Sequence, residues 1–185
     1  MAAGGAVQPA LNSVKQRVFY ALWPDARVRA DLAQAARRMH QLTQGNCVRE
    51  DNIHLTLAFI GAVSMENTAC LMTPPARVLT SPFLLTVDHW GCWTDKGIGW
   101  AAPSHVPTAL RNLAANLSDW LHGAGLQVEQ RPFTPHVTLV RHAHGVRLPN
   151  PIARIEWQVE EIVLIGSSLM RGGARYEKLG NWALM

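Results

Sequence analysis

Two stretches of the chain place the same two kinds of reactive side chain at the same spacing. The tetrapeptide HLTL, which begins at His54, recurs as HVTL, which begins at His136, about half a chain later. In a β-strand, residues two apart point to the same face, so each imidazole shares a face with the hydroxyl of Thr56 or Thr138. The repeat predicts two similar lobes that face one another and share a cleft.

Two opposed imidazoles suit displacement at phosphorus. An in-line displacement needs a base for the attacking oxygen and an acid for the departing oxygen, on opposite sides of the phosphate. Histidine serves either role near neutral pH because its unperturbed pKa is about 6.5. The threonine hydroxyls can donate hydrogen bonds to the non-bridging oxygens, where negative charge accumulates.

The first strand has two different faces. Strict alternation in NIHLTLAFIG, residues 52–61, predicts that Leu55, Leu57 and Phe59 point to the core. Ala58 and Ile60 are then predicted on the other face, beside the histidine and the threonine.

Both motifs, with their flanking residues, resemble the 2H phosphoesterase superfamily. More narrowly, the chain is similar to the bacterial RNA 2′,3′-cyclic phosphodiesterases, which are also described as 2′-5′ RNA ligases. The similarity spans residues 17–184 and rests on these phrases: RVFYALWP, NIHLTLAFIG, FTPHVTLVR, and the tail from LIGSSL through Tyr176 to Trp182.

The resemblance implies an α+β, bilobal fold with pseudo-twofold symmetry. Two antiparallel sheet lobes would carry helices on their outer faces and enclose a basic central cleft. The implied reaction opens the 2′,3′-cyclic phosphate at an RNA end to a 2′-phosphomonoester, without a metal or other cofactor. His54 would donate a proton to the leaving 3′ oxygen, His136 would activate water, and Thr56 and Thr138 would hold the phosphate. An RNA 5′-hydroxyl in place of water would form a 2′-5′ linkage by the same acid-base pair.

Two further residues are candidate substrate ligands. Arg141 matches the family's pattern after the second motif, and a guanidinium is a suitable phosphate ligand. Strict alternation from His136 places Arg141 on the opposite face, so a bulge or a strand end is needed to bring it to the phosphate. Phe133, just before the second motif, could stack on a terminal base. Four tryptophans in or beside strands are predicted to pack in the core or on the sheet: Trp23, Trp90, Trp100 and Trp182.

Composition limits the class of protein. The 185 residues are 48% hydrophobic, with a formal net charge of +4, which favours anionic ligands. The three cysteines show no CxxC spacing, so neither a disulfide scaffold nor a zinc knuckle is indicated. With no export signal and no run of apolar residues long enough to cross a membrane, we expect a cytoplasmic protein. A cleft complete in one chain predicts a monomer.

Residues 1–16 read as a flexible leader and residues 17–185 as a single bilobal domain. A helix is predicted after Asp25 up to Gly45, and another from Pro107 to about His122, with no element assigned to 63–82. The remaining predicted elements are strands, at 17–23, 52–61, 83–90, 97–103, 134–142, 160–169 and 176–184.

Three alternatives remain open. The site could act on 2′-5′ oligonucleotides or small cyclic nucleotides, or the protein could bind RNA ends without turnover. A metallohydrolase using the histidines of residues 136–144 is the third reading, although that segment lacks the acidic ligands such sites generally employ.

Overall fold

A computed structural model describes residues 15–129, 131–144, 148, 152–171 and 173–185. The predicted leader, residues 1–16, lies outside the described residues except for its last two positions. The helices of the described chain are α1 (Ala26–Thr43), α2 (Met65–Leu71) and α3 (Thr108–Gly123). Its strands are β1 (Gln16–Leu22), β2 (Asn46–Cys47), β3 (Leu55–Val63), β4 (Phe83–Val87), β5 (His89–Trp93), β6 (Ile98–Ala102), β7 (Val137–Arg141), β8 (Ile155–Val159), β9 (Glu161–Met170) and β10 (Gly173–Ala183).

Eight of these strands form one sheet. Its order is β10-β9-β1-β3-β7-β6-β5, with the short β2 paired to β7, while β4 and β8 form a separate two-stranded sheet. Every recorded strand pairing is antiparallel. The α+β class with antiparallel sheet is therefore confirmed.

The two halves of the large sheet meet at a single pair of residues. Leu55 of β3 pairs with Val137 of β7, and both side chains are fully buried. These are the central residues of the two HxT motifs, so the pairing relates the motifs to each other as a local twofold axis would. The predicted bilobal arrangement is confirmed, and the two lobes are halves of one continuous sheet.

A β-bulge follows the threonine in each motif. In β3, Thr56 and Ala58 pair with consecutive residues of β1, which leaves Leu57 as the extra residue. In β7, the residues on either side of Leu139 pair with consecutive residues of β6. A bulge inserts one residue without a partner and shifts the alternation of every residue beyond it. The sequence repeat thus encodes a repeated bulge.

The bulge in β3 makes one prediction wrong. Phe59 was expected to face the core, but its side chain is 37% exposed, and Ile60, expected on the other face, is buried. Between Leu57 and Ile60 the alternation is reversed, so the aromatic ring reaches the surface that carries the motif. A second irregularity at Ile60 restores the alternation. The equivalent bulge in β7 supplies the shift that Arg141 needs, and its side chain is exposed at the end of the strand.

Each long helix packs on the opposite half of the sheet from the strand that precedes it. Helix α1 follows β1 but packs against β7 and β8, whereas α3 follows β6 and packs against β3. The predicted leucine stripe of α3 is buried, and the Asp25 side chain caps α1 by accepting a hydrogen bond from Val28 N at 2.8 Å. Pro107 lies before α3 rather than in its first turn, with an extended ψ of 142°.

Some elements differ from the prediction. The unassigned segment 63–82 contains α2, which begins after the capping Ser64, and a short 3₁₀ turn after Pro75. The predicted strand 83–90 is divided at Asp88 into β4 and β5, which belong to different sheets. Strand β8 was not predicted. Within the described chain, no helix is long and apolar enough to cross a membrane.

Gly99 provides a test of the packing that holds the second motif. A Cβ at this buried position would lie 2.6 Å from Val140 Cγ2 and closer still to Met39 Sδ. The branched Val140 side chain is stiff, so we expect Gly99→Ala to lower the free energy of unfolding by about 1–3 kcal/mol. Gly123→Ala, where an added Cβ meets nothing within 4 Å, is the matched control and should be neutral or stabilising. Urea unfolding measures both, and equal effects in the two variants would contradict the packing.

Candidate active site

The two motif histidines are oriented by the same backbone contact. His54 Nδ1 lies 2.6 Å from the carbonyl oxygen of Asn52, and His136 Nδ1 lies 2.8 Å from that of Thr134. Since a carbonyl can only accept, each Nδ1 carries the hydrogen and donates it. Nε2 is then the ring nitrogen left for chemistry in both motifs.

Three aromatic rings surround His54. Trp23 is stacked flat on the imidazole, with centroids 5.4 Å apart and planes 9° apart. Phe19 is tilted against it at 5.0 Å, and Tyr176 meets it edge to face at 5.3 Å. The imidazole is therefore held on several sides by side chains of β1, β10 and the turn after β1.

The loop that orients His54 is fixed to the far edge of the sheet. Asn52, whose carbonyl accepts from the imidazole, donates through Nδ2 to the Ala174 carbonyl of β10 at 2.9 Å. The position of the first imidazole thus depends on the β9–β10 hairpin as well as on β3.

His136 has a more open environment. Trp93 of β5 contacts it at 4.7 Å with the ring planes at 75°. The Trp93 ring also contacts the Trp100 ring, with centroids 5.6 Å apart, and the Lys96 ammonium lies 5.6 Å from the Trp93 ring centroid. The second imidazole is thus flanked by an aromatic and cationic wall on one side.

Burial is the main electrostatic influence on both rings. Desolvation lowers the pKa of His54 to about 4, although the Asn52 carbonyl opposes the shift, and the positive charges of His136 and Arg141 lower it further. Desolvation also lowers the pKa of His136, against the Thr134 carbonyl and with the Lys96 charge. In the ligand-free protein both imidazoles are therefore predominantly neutral at pH 7.

A cleft of about 510 Å³ opens beside His136 and Thr56. Aromatic and cationic side chains form much of its wall: Phe59, Trp93, Phe133, Lys96 and Arg131. This size and lining are typical of small-molecule sites, and the rings can stack on a nucleobase. Phe133 lines this cleft, and the bulge in β3 brings Phe59 to the same cleft.

The remaining predicted residues, Thr138 and Arg141, lie on β7 and are not part of the lining of this cleft. Thr138 is half-buried on β7, and its partner across the sheet is Trp100 of β6. Arg141 follows at the end of β7, near enough for its charge to lower the pKa of His54. The structure therefore brings both histidines, both threonines and Arg141 to one region.

Sequence reasoning did not identify Trp93, Lys96, Phe19 or Tyr176 as part of the site. Trp93 ends β5 and Lys96 lies in the turn to β6, and the spacing of the motifs does not show which turn lies beside them. Strict alternation in RVFYALW would have placed Phe19 on the same face of β1 as Ala21, as the structure does. Of the four tryptophans, Trp90 and Trp182 pack in or against the core as predicted.

Trp23 and Trp100 also pack on the sheet as predicted, and both lie beside the site. Trp23 lies on His54, and the Trp100 ring lies over Gly91, where an added Cβ would overlap it. Glycine at position 91 is what leaves room for that indole.

A metallohydrolase, the third alternative, needs a cluster of metal ligands. Within the described ranges, no three His, Cys, Asp or Glu side chains come together in a way that could hold a metal ion. His142, from the histidine-rich segment, lies 3.3 Å from the Asn46 amide nitrogen.

Burial of the His54 ring predicts a dependence of stability on pH. Its folded pKa is about 4, below the unfolded value of 6.5, so the neutral ring contributes stability that is complete above pH 6.5. That contribution to the free energy of unfolding, about 3 kcal/mol, is lost as the pH falls from 6.5 through 4. His54→Gln should therefore lose less stability between pH 7 and pH 4 than the parent protein, as measured by urea unfolding. The exposed His105→Gln is the control, and an unchanged pH dependence in His54→Gln would refute the assignment.

A family model agrees with the repeated architecture. The model described as LigT like phosphoesterase matches the chain twice, at residues 22–100 and 101–176. Each match contains one HxT motif. The two matches together cover most of the chain.

Relatives with similar sequences carry one name. The RNA 2′,3′-cyclic phosphodiesterase of Escherichia coli K12 is 35% identical over 173 residues, which are 93% of this chain and 98% of that protein. The protein of the same name from Thermus thermophilus is 29% identical, over 91% of this chain and 90% of that one.

Solved structures of such proteins have the same fold. Escherichia coli LigT in complex with 3′-AMP superposes with a TM-score of 0.84 at 35% identity, over 92% of this chain and 99% of that one. TT0787 of Thermus thermophilus gives a TM-score of 0.74 at 28% identity, over 91% and 97%. With the double family match, the level of identity and the paired HxT strands, the chain belongs to the LigT-like phosphoesterases of the 2H phosphoesterase superfamily.

Proposed function

We propose that this protein hydrolyses the 2′,3′-cyclic phosphodiester at an RNA end to a 2′-phosphomonoester. The observation that carries the proposal is the pair of imidazoles on adjoining strands, each with Nδ1 bound to a carbonyl and Nε2 left for the substrate. The names of the relatives in Escherichia coli and Thermus thermophilus support the same reaction.

The proposed chemistry moves two protons in one in-line displacement. His136 Nε2 takes a proton from water as the water oxygen bonds to phosphorus, and the bond from phosphorus to the 3′ oxygen breaks. His54 Nε2–H gives its proton to that departing oxygen. The reaction leaves His54 neutral and His136 protonated, and exchange with solvent restores the starting state.

Charge on the phosphate is balanced by groups beside the imidazoles. The Thr56 and Thr138 hydroxyls donate to the non-bridging oxygens, and Arg141 supplies positive charge. The free protein holds both histidines neutral, whereas the acid must be protonated. A bound phosphodiester anion raises the pKa of both rings, because a nearby negative charge favours the imidazolium. Substrate binding thus promotes the uptake of the catalytic proton.

The cleft beside His136 accounts for binding of the RNA end. Phe133 stacks on the terminal base, with Phe59 and Trp93 on the other walls, and such stacking contributes about 1–3 kcal/mol per base. Since both motifs lie in one chain, the functional unit is a monomer. With an RNA 5′-hydroxyl in place of water as the nucleophile, the same acid-base pair opens the cyclic phosphate to a 2′-5′ linkage, and the 3′ oxygen again takes the proton of His54.

A product assay tests the function. We expect a short RNA with a 2′,3′-cyclic phosphate to be converted only to the 2′-phosphate, in the presence of EDTA. His54→Ala and His136→Ala should each be slower by about 10²-fold or more. His105→Ala, which changes an exposed histidine, is the control. A 3′-phosphate product, or full rates in either motif variant, would overturn the proposal, and binding without turnover would favour an RNA-end-binding protein.

The threonine roles predict a smaller loss. Thr56→Val and Thr138→Val keep the side-chain shape but remove one hydrogen bond to the phosphate. The transition state should therefore lose about 1–3 kcal/mol of stabilisation, measured from the ratio of kcat/KM values. Serine at either position should restore much of the rate. If the valine variant keeps the parent rate and the serine variant is slow, the methyl group matters and the hydroxyl does not.

The division of labour between the histidines predicts a dependence on the leaving group. In a substrate with sulfur in place of the 3′ bridging oxygen, the thiolate departs without general acid. The rate loss in His54→Ala should therefore be at least about 10-fold smaller on the thio substrate than on the oxygen substrate, while that in His136→Ala persists. If the rate loss of His136→Ala is instead the one that becomes smaller on the thio substrate, His136 is the acid and His54 is the base.

A further inference from the structure

The two catalytic imidazoles differ in how an indole meets them. Trp23 lies parallel to His54, with 9° between the planes and 5.4 Å between the centroids. Trp93 meets His136 at 75° and 4.7 Å. One imidazole is therefore stacked on an indole face, and the other is in an edge-to-face contact.

Resting on the proposed function, we propose that Trp23 is a positioning residue that keeps the catalytic proton on His54 rather than on His136. The face of an indole carries negative charge density, which attracts a cation placed over it. A protonated imidazole stacked on Trp23 gains this attraction, whereas a neutral one gains only ordinary stacking. The stack thus favours the state of His54 that can act as an acid.

The other neighbours of His54 do not favour its protonation over that of His136, because the Asn52 carbonyl favours protonation of His54 but the Thr134 carbonyl does the same for His136. The charged groups that act on the ring are His136 and Arg141, and both oppose its protonation. Phe19 is tilted by 32°, and Tyr176 is perpendicular at 89°. Neither ring lies parallel to the imidazole. Of the described aromatic contacts of His54, only the one with Trp23 places a ring face flat against it.

The backbone of Trp23 is fixed well enough to hold the stack. The residue follows the last residue of β1, and Pro24 after it is buried. The Pro24 carbonyl accepts a hydrogen bond from Arg29 Nη2 at 3.3 Å, and Asp25 caps α1. The indole also contacts Tyr176 at 6.3 Å. Strand, helix cap and a second aromatic ring therefore set its plane.

Two other roles for Trp23 make different predictions. If the indole only fills space on the apolar cluster of Phe19, Ala21, Val163 and Ile165, its loss lowers stability and slows all substrates equally. If it stacks on a nucleobase, its loss raises KM and leaves kcat unchanged. A residue that supports the acid lowers kcat only where an acid is needed.

The experiment compares Trp23→Leu and Trp23→Phe on substrates with an oxygen or a sulfur leaving group at the 3′ position. We expect Trp23→Leu to lower kcat on the oxygen substrate by about 2- to 30-fold, the range of a cation-π interaction. On the sulfur substrate kcat should equal that of the parent. Trp23→Phe, which keeps a ring face, should recover part of the loss, and the fold of both variants is checked by circular dichroism.

Trp120→Leu is the matched control. This indole is also half-buried but packs on Tyr20, at 6.0 Å, so its removal should not distinguish the two substrates. Equal losses on both substrates in Trp23→Leu, or a change in KM alone, would overturn the proposal. If Trp23→Leu does not fold, the test rests on Trp23→Phe. The proposal is then overturned if Trp23→Phe shows no selective loss on the oxygen substrate. Turnover of the oxygen substrate by the parent protein separates either outcome from a failure of the proposed function.

Discussion

The pairing of Leu55 with Val137 is the constraint on which the site depends. It is the only recorded pairing between β3 and β7 within the described chain, and it joins two half-sheets into one. Both side chains point into the core and are fully buried. The residues on either side must then point to the opposite face of the sheet. A single antiparallel contact thus places two histidines and two threonines together, and the helices that cross to the opposite half pack against the strands that carry it.

The site is symmetric in backbone but not in environment. Each imidazole donates from Nδ1 to the carbonyl two residues earlier, because both motifs enter their strand in the same way. The surroundings then diverge: three aromatic rings surround His54, whereas His136 borders the open cleft. Burial keeps both rings predominantly neutral in the free protein, and the negative charge of a bound anion favours their protonation. Equivalent groups on a twofold frame can in this way take opposite roles in proton transfer.

Much of this arrangement could be predicted from the sequence. The spacing of His54 and Thr56, and its recurrence, predicted two similar lobes that share a cleft, and the leucine stripe predicted α3. The two bulges could not be predicted, because an extra residue in a strand depends on its pairing with a neighbour and not on its own alternation. For that reason Phe59 was assigned to the wrong face. Arg141 needed a shift that the sequence did not display. The contribution of Trp93 and Lys96 depends on how β5 and β6 fold onto β7, which is a property of the whole sheet.

The most direct test of this account is the protonation state of the two histidine rings. Correlation of ring ¹⁵N and carbon-bound ¹H signals in protein labelled at histidine, assigned with His54→Ala and His136→Ala, reports the tautomer of each ring. At pH 7 without ligand, we predict a hydrogen on Nδ1 and none on Nε2 in both rings. With a nucleoside 2′-phosphate added, both signals should shift and at least one ring should become protonated on both nitrogens. A hydrogen on Nε2 of either neutral ring, or two rings that do not respond to the ligand, would contradict a shared phosphate site built by the paired motifs.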